Sequence, residues 1–279
     1  MSIFVVLGAK GGTGAEIVRR LTELSASQCR EIRAVVRDPS SVASGLFGIP
    51  SELDGRIKII KGDCTQPASL TEPFKGAHAV FFAAAGKGYA NTIAVDQDGV
   101  GSTATASLAE GGGDIKKAPR VVLVSSQLVA PKNRWNLIRG ILNSINSGLF
   151  HSEGMMDFKY RGEELLRHSG APFTIVRPGR LMDGEMGATG KVCIGQCDAS
   201  FLQGGGTTRA DVAAVCVSAA LAPGALNTTF EVAGSPKEPS DHTTALRGKE
   251  GGESGAETAM WFKDTFFAGL APRFGDGAV

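Results

Sequence analysis

At 279 residues, 42% of them apolar and 20% charged, the chain has enough material to bury a core without disulfides or metals. A formal net charge of +1 removes the electrostatic case for a nucleic-acid partner. The apolar runs fall well short of the roughly 20 residues a helix needs to span a bilayer, which excludes transmembrane helices.

The first element is a continuous apolar run, Ile3 to Leu7, as expected of a strand buried on both faces. Ile17, Val18, Leu21 and Leu24 then recur at helical spacing, predicting a helix over Thr13 to Leu24. Strands follow at Ile32 to Val36, Arg56 to Ile60 and Ala79 to Ala83, then a small-residue helix at Asn91 to Leu108 and a β-branched strand at Arg120 to Ser125. A helix over Asp157 to Arg167 and a strand over Phe173 to Val176 continue the alternation. Strand and helix in repeated succession predict an α/β fold, a doubly wound parallel sheet with helices on both faces.

Beyond Pro178 the pattern changes to a small C-terminal lobe. Lys191 to Ile194 and Thr229 to Val232 read as strands, and Thr208-Arg-Ala-Asp211 as a capping box opening a helix to Leu221, the Asp211 carboxylate reaching the Thr208 amide. Gly234 to Glu257 holds almost no large apolar residue and reads as a flexible loop. Ala259 to Leu270, with Trp261, Phe262, Phe266 and Phe267, reads as a helix packing onto the domain. The expected organisation is therefore one dinucleotide-binding domain over 1–233 with its lobe from about 180, a loop over 234–257, and a closing helix and tail over 258–279.

Glycine makes up 38 of the 279 residues, and the most informative cluster is Gly8-Ala-Lys10-Gly11-Gly12-Thr13-Gly14. Gly8 permits a tight turn, Gly11 lets backbone amides approach a pyrophosphate, and Gly14 allows close helix–strand packing. The helix N-terminus adds about half a positive charge at the same point. Cofactor choice should be written at the end of the second strand, where NAD enzymes place a carboxylate. Here the chain reads Val36-Arg37-Asp38-Pro39. Arg37 in reach of a 2′-phosphate, with Lys10 beside it, favours NADP(H); Asp38 is the residue that would argue for NAD.

Further landmarks are Lys61-Gly-Asp63, Phe81-Phe-Ala-Ala-Ala-Gly86, Val122-Leu-Val-Ser-Ser126, Lys159-x-x-x-Glu163 and Thr174-Ile-Val-Arg-Pro-Gly179. With the GxxGxxG loop, over roughly residues 3–233, they resemble the atypical and extended short-chain dehydrogenase/reductases, in particular the NmrA-like and Tic62-like group. The resemblance implies that Asp63 accepts from the adenine amino group and that Ala83 and Ala84 line the adenosine and ribose. It further implies that Lys159 holds the nicotinamide ribose, that Pro178 and Gly179 sit beside the carboxamide, and that Ser126 polarises a substrate carbonyl. Catalytic roles are thus expected of Ser126 and Lys159.

The family's acid is a tyrosine four residues before the lysine, on the same helical face, where the ammonium lowers the phenol pKa. This chain has Met155 there, and its tyrosines are Tyr89 and Tyr160. His151 and Asp157 are the nearby titratable groups that a substitute acid would draw on. Two readings remain open from the sequence: an NADP-dependent oxidoreductase acting on a small carbonyl or enone, or a catalytically weak NADP(H)-loaded redox sensor or assembly scaffold. Trp135, Leu137, Ile138 and Ile141 would supply either an apolar pocket or a partner-facing surface.

The five cysteines, Cys29, Cys64, Cys193, Cys197 and Cys216, are scattered, and no metal site is expected of the Cys193–Cys197 spacing. With no targeting segment before the first strand, a soluble intracellular protein is expected, cytoplasmic, or in the plastid stroma if the sequence is a processed form. Oligomeric state is left open.

Overall fold

The computed structural model describes residues 2–42, 55–147, 153–189, 191–196, 206–235, 246–247, 267 and 270. Among the described residues, its centre is a nine-stranded sheet. The first strand is β1 (Ser2–Leu7), where consecutive side chains alternate faces. Phe4 and Val6 enter one apolar cluster, and Val5 and Leu7 enter another on the opposite face. That is why β1 reads as an unbroken apolar run. Each such buried side chain contributes ~1.5–3 kcal/mol.

The chain proceeds through α1 (Gly12–Thr22), β2 (Cys29–Val36), β3 (Ile57–Lys61), α2 (Thr71–Phe74), β4 (Ala79–Phe82) and α3 (Tyr89–Thr92). A π-helical segment (Ile93–Gly99) leads into α4 (Val100–Glu110), followed by β5 (Arg120–Val124), α5 (Leu137–Ser147), α6 (Met155–His168) and β6 (Phe173–Pro178). Then come β7 (Arg180–Met182), β8 (Lys191–Gly195), β9 (Gly206–Thr208), α7 (Arg209–Leu221), β10 (Thr228–Ser235) and β11 (Leu246–Arg247). Strand order is β11-β8-β10-β6-β5-β4-β1-β2-β3. From β3 to β10 all pairs are parallel; β8 and β11 join antiparallel. The order reverses between β1 and β4, and the crevice there, at the carboxyl ends of the strands, is where this doubly wound fold receives ligands.

Helices α1 and α7 cover one face of the sheet, and α2, α4 and α6 the other. No helix among the described residues is long and apolar enough to cross a membrane. The helix expected from Asn91 is not regular. It is broken by the π segment, and there Gly162 of α6 packs onto the Asp96 carbonyl so closely that a methyl group on Gly162 would collide with it. The wide turn pushes Asp96 inward, where it is buried. The capping box at α7 also differs in detail. The Thr208 hydroxyl accepts from the Asp211 amide at 2.9 Å, and the Asp211 carboxylate takes the Thr208 hydroxyl and the Gly187 amide, not the Thr208 amide. Of the expected C-terminal helix, Phe267 and Leu270 are described, and neither is helical: Phe267 lies in a turn closed by the Leu270 amide, and its ring packs 5.8 Å from Phe230 in the core.

Beneath β6 lies a buried ion network. Arg177 donates through Nε and Nη2 to the two oxygens of Glu163, at 3.0 and 2.7 Å. Arg167 reaches the same carboxylate at 2.8 Å, and Arg177 also approaches Glu231 at 3.3 Å. Burial alone would raise the Glu163 carboxyl, but Arg177 and Arg167 outweigh it and hold the group below its ordinary range. Removing one partner strands the others without water. Glu163→Gln should therefore cost about 3–5 kcal/mol, read as a fall in the denaturant midpoint with an unchanged m-value.

Candidate functional site

The glycine loop leaves β1 at Gly8, whose φ of 75° lies in the left-handed region. A methyl group on Gly8 would stand 2.7 Å from the backbone of Ala84, and one on Gly14 would run into the Gly8 carbonyl. The loop is thus pressed against the end of β4 on one side and folded onto itself on the other. Gly11 closes the turn by donating to the Gly8 carbonyl at 2.9 Å. Lys10, Gly11 and Gly12 are exposed at the mouth, while Thr13 and Gly14 are buried. Gly11 is the N-cap of α1 and, as a glycine, supplies no capping side chain; no acidic residue stands in the first turn. The first amides of α1 therefore face the crevice with the positive end of the helix behind them.

At the end of β2, Arg37 is exposed. Asp38 caps a short turn, its Oδ1 accepting from the Ser40 hydroxyl at 2.6 Å and the Ser40 amide at 3.0 Å. Those bonds, helped by Lys10 and Lys61, hold the Asp38 carboxyl below its usual range. Lys61, at the end of β3, is a cation at this corner that sequence reasoning passed over. It was visible only as part of Lys61-Gly-Asp63, and strand pairing is what sets it beside Asp38. Asp63 stands at the same edge, half-buried, with Oδ1 taken up by the Thr65 amide and hydroxyl, both at 2.9 Å.

The carboxyl ends of β5 and β6 carry the other expected residues. Ser126 is half-buried just past β5. Pro178 ends β6 and accepts from the Gln127 amide at 3.0 Å, and Gly179 donates to Val232 at 2.9 Å. Lys159 extends from α6 to Asp96, with Nζ 2.6 Å from Oδ1, while Asp96 Oδ2 accepts from the Gly86 amide at 2.8 Å. Asp96, whose side chain is 1% exposed, therefore ties α6 to the loop after β4. An ammonium has three donors, so this pairing fixes the Lys159 amine and leaves it donors to offer the crevice.

Met155 begins α6, with no proton to give. Tyr89 packs its ring edge-on against Phe158, the residue before Lys159, at 5.3 Å between centroids. Asp157 is committed elsewhere. It accepts from the Gly154 amide at 2.9 Å, from Arg139 at 2.7 Å and from Asn143 at 2.8 Å. Arg139 in turn holds the carbonyls of Leu128, Val129 and Ala130 at 2.8, 2.5 and 2.6 Å. These bonds fasten the loop after Ser126, in which Leu128 takes a left-handed φ of 64°. Asp157 is thus a bracket for that loop, and His151 lies outside the described residues. Trp135, Leu137, Ile138 and Ile141 are exposed around α5, Trp135 by 91%.

Residues 8–223 match the family model described as NAD(P)H-binding. A fungal relative, the NmrA-like family domain-containing oxidoreductase ptmS of Penicillium ochrochloron, is 35% identical over 79 residues, 28% of this chain and 22% of its own length. The chain thus spans about a fifth of that relative. The uncharacterized sugar epimerase YhfK of Bacillus subtilis is 26% identical over 83% of this chain and 94% of its own. Among solved structures, a wide-type short-chain dehydrogenase/reductase from Veillonella parvula in complex with NADP superposes with a TM-score of 0.60. It is 20% identical and covers 86% of this chain and 99% of its own.

Burial alone would raise the Asp157 carboxyl, but the Gly154 amide, Arg139 and Asn143 hold it below its ordinary range. A depressed carboxylate stabilises the fold above its unfolded pKa of about 4 and loses that contribution as pH falls through the folded value. Asp157→Asn should lower the melting temperature at pH 7, and the gap to the unsubstituted protein should close below about pH 4. Parallel melts across the acid range would show it.

Proposed function

Because the chain belongs to the NAD(P)H-binding family, we propose that it is an NADP(H)-dependent oxidoreductase of the atypical short-chain type. In this reading it reduces a small carbonyl or enone without the usual catalytic tyrosine. The observation that carries the cofactor choice is the corner at the end of β2. Lys10 and Lys61 act on the Asp38 carboxylate, which Ser40 already occupies, and the exposed Arg37 precedes it in the chain. A 2′-phosphate suits that corner, since a guanidinium grips phosphate with two parallel bonds.

Bound NADPH would supply the hydride. The chain's own residues bind, orient and protonate. The amides of Gly11, Gly12 and Thr13 receive the pyrophosphate, with Ala83 and Ala84 beneath the adenosine. Asp63 meets the adenine edge, and Pro178 and Gly179 border the carboxamide. Lys159, braced by Asp96, holds the ribose hydroxyls, and Ser126 donates to the substrate oxygen. Tyr89 is the phenol that packs against the lysine's helix, and it is the proton donor assigned in this reading.

A second reading, a cofactor-loaded sensor or scaffold, is favoured by Met155 at the acid position and by the exposed apolar residues Trp135, Leu137, Ile138 and Ile141. The two part on turnover. Offered quinones, aldehydes and enones, the protein should oxidise NADPH steadily; Lys159→Ala should abolish this, and Tyr89→Phe should lower kcat with little change in KM for NADPH. Silence across the panel, with cofactor bound, would favour the scaffold. Arg37→Ala should lower kcat/KM for NADPH by about tenfold while leaving that for NADH within about twofold. Equal losses with both nucleotides would contradict the assignment of this corner to the 2′-phosphate.

A further inference from the structure

We infer that Arg209 clamps the pyrophosphate of the bound dinucleotide, with Asp183 as the counter-ion it rests on before the ligand arrives. The inference rests on the reading of the glycine loop as the dinucleotide cradle. Arg209 is the first residue of α7, and the Thr208 cap fixes the start of that helix beside α1. From there the side chain lies across Gly12. A methyl group built on Gly12 would stand 2.8 Å from both Cδ and Nε of Arg209. Gly12 opens α1, where the free amides emerge. A residue with a side chain at position 12 would push the arginine off the helix mouth; glycine lets it lie flat on the backbone.

The partner of Arg209 is Asp183, with Nη1 and Oδ1 2.6 Å apart. Asp183 is 95% exposed and Arg209 29%. An ion pair with one member so fully in water is weak and easily exchanged. A pyrophosphate offers what Asp183 does not: a second negative charge, fork geometry for two parallel N–H bonds, and the field of α1 on the same side. The segment bearing Asp183 is held near by both helices. The Gly187 amide donates to the Asp211 carboxylate at 2.9 Å, and Arg20 of α1 reaches the Met186 sulfur at 3.6 Å. Asp183 therefore holds the guanidinium over Gly12 instead of leaving it to sweep through solvent. Because a pyrophosphate is common to NADP and NAD, Arg209 acts on both alike.

The test is a set of fluorescence titrations with NADPH and NADH on the full chain, and competition against NADPH by adenosine 2′-monophosphate, which has the 2′-phosphate but no pyrophosphate. Arg209→Gln should weaken both dinucleotides by the same factor, about tenfold or more, and leave the monophosphate within about twofold. Arg209→Lys should recover only part, since an ammonium has no fork. An Arg209→Gln protein that melts normally and binds NADPH as the unsubstituted protein does would overturn the clamp alone. Loss of monophosphate binding in parallel with NADPH would also overturn it, by showing a general effect of charge. If the unsubstituted protein binds no dinucleotide, the cradle reading falls and the clamp with it.

Discussion

The approach of Gly14 to the Gly8 carbonyl, and of Gly8 to the Ala83–Ala84 backbone, sets the position of everything else at the crevice. It brings the N-terminus of α1 to the point between β1 and β4 where the strand order reverses. A side chain at either glycine would force the helix back from the sheet, because backbone in a packed interior has nowhere to yield. With the loop closed, the amides of α1 face out, the end of β2 delivers Arg37 to one side, and α7 delivers Arg209 to the other. The crevice proposed for the dinucleotide therefore depends on two backbone contacts that glycine alone permits.

A second close approach governs the other half of the crevice. Gly162 lets α6 touch the backbone at Asp96, and the π segment that carries Asp96 places its carboxylate between Lys159 and the Gly86 amide. Lys159 is thus braced from a π-helical segment on a different element. The loop beyond Ser126 is set just as indirectly, by Arg139 bridging three carbonyls to Asp157. In both places a charged residue near the site is used to hold backbone.

Much of this was legible in the sequence, because the signals are local. The unbroken apolar run of β1, the glycine spacing, and Arg37 following Val36 all follow from short-range geometry, as does the α7 cap at Thr208. What escaped the sequence depends on contacts between distant segments. The π segment required knowing that Gly162 would meet Asp96. The role of Lys61 required the pairing of β2 with β3, and that of Arg209 required α7 to lie beside α1. Asp157 looked like a titratable candidate because its partners Arg139 and Asn143 sit on another helix. The expected loop over 234–257 is not irregular where it is described: Gly234 and Ser235 end β10, and Leu246–Arg247 pair with β8 as β11, because the edge strand β8 offers backbone partners that no local sequence signal announces.

In the proposed reading, the open amides of α1 and the cations at the end of β2 together hold a 2′-phosphorylated dinucleotide. Isothermal calorimetry on folded, cofactor-stripped protein addresses it most directly. A saturable, one-site exotherm with NADPH is expected, with a dissociation constant in the micromolar range or below, and a clearly weaker one with NADH. No detectable heat from either nucleotide at about millimolar concentration, or tighter binding of NADH than of NADPH, would contradict it.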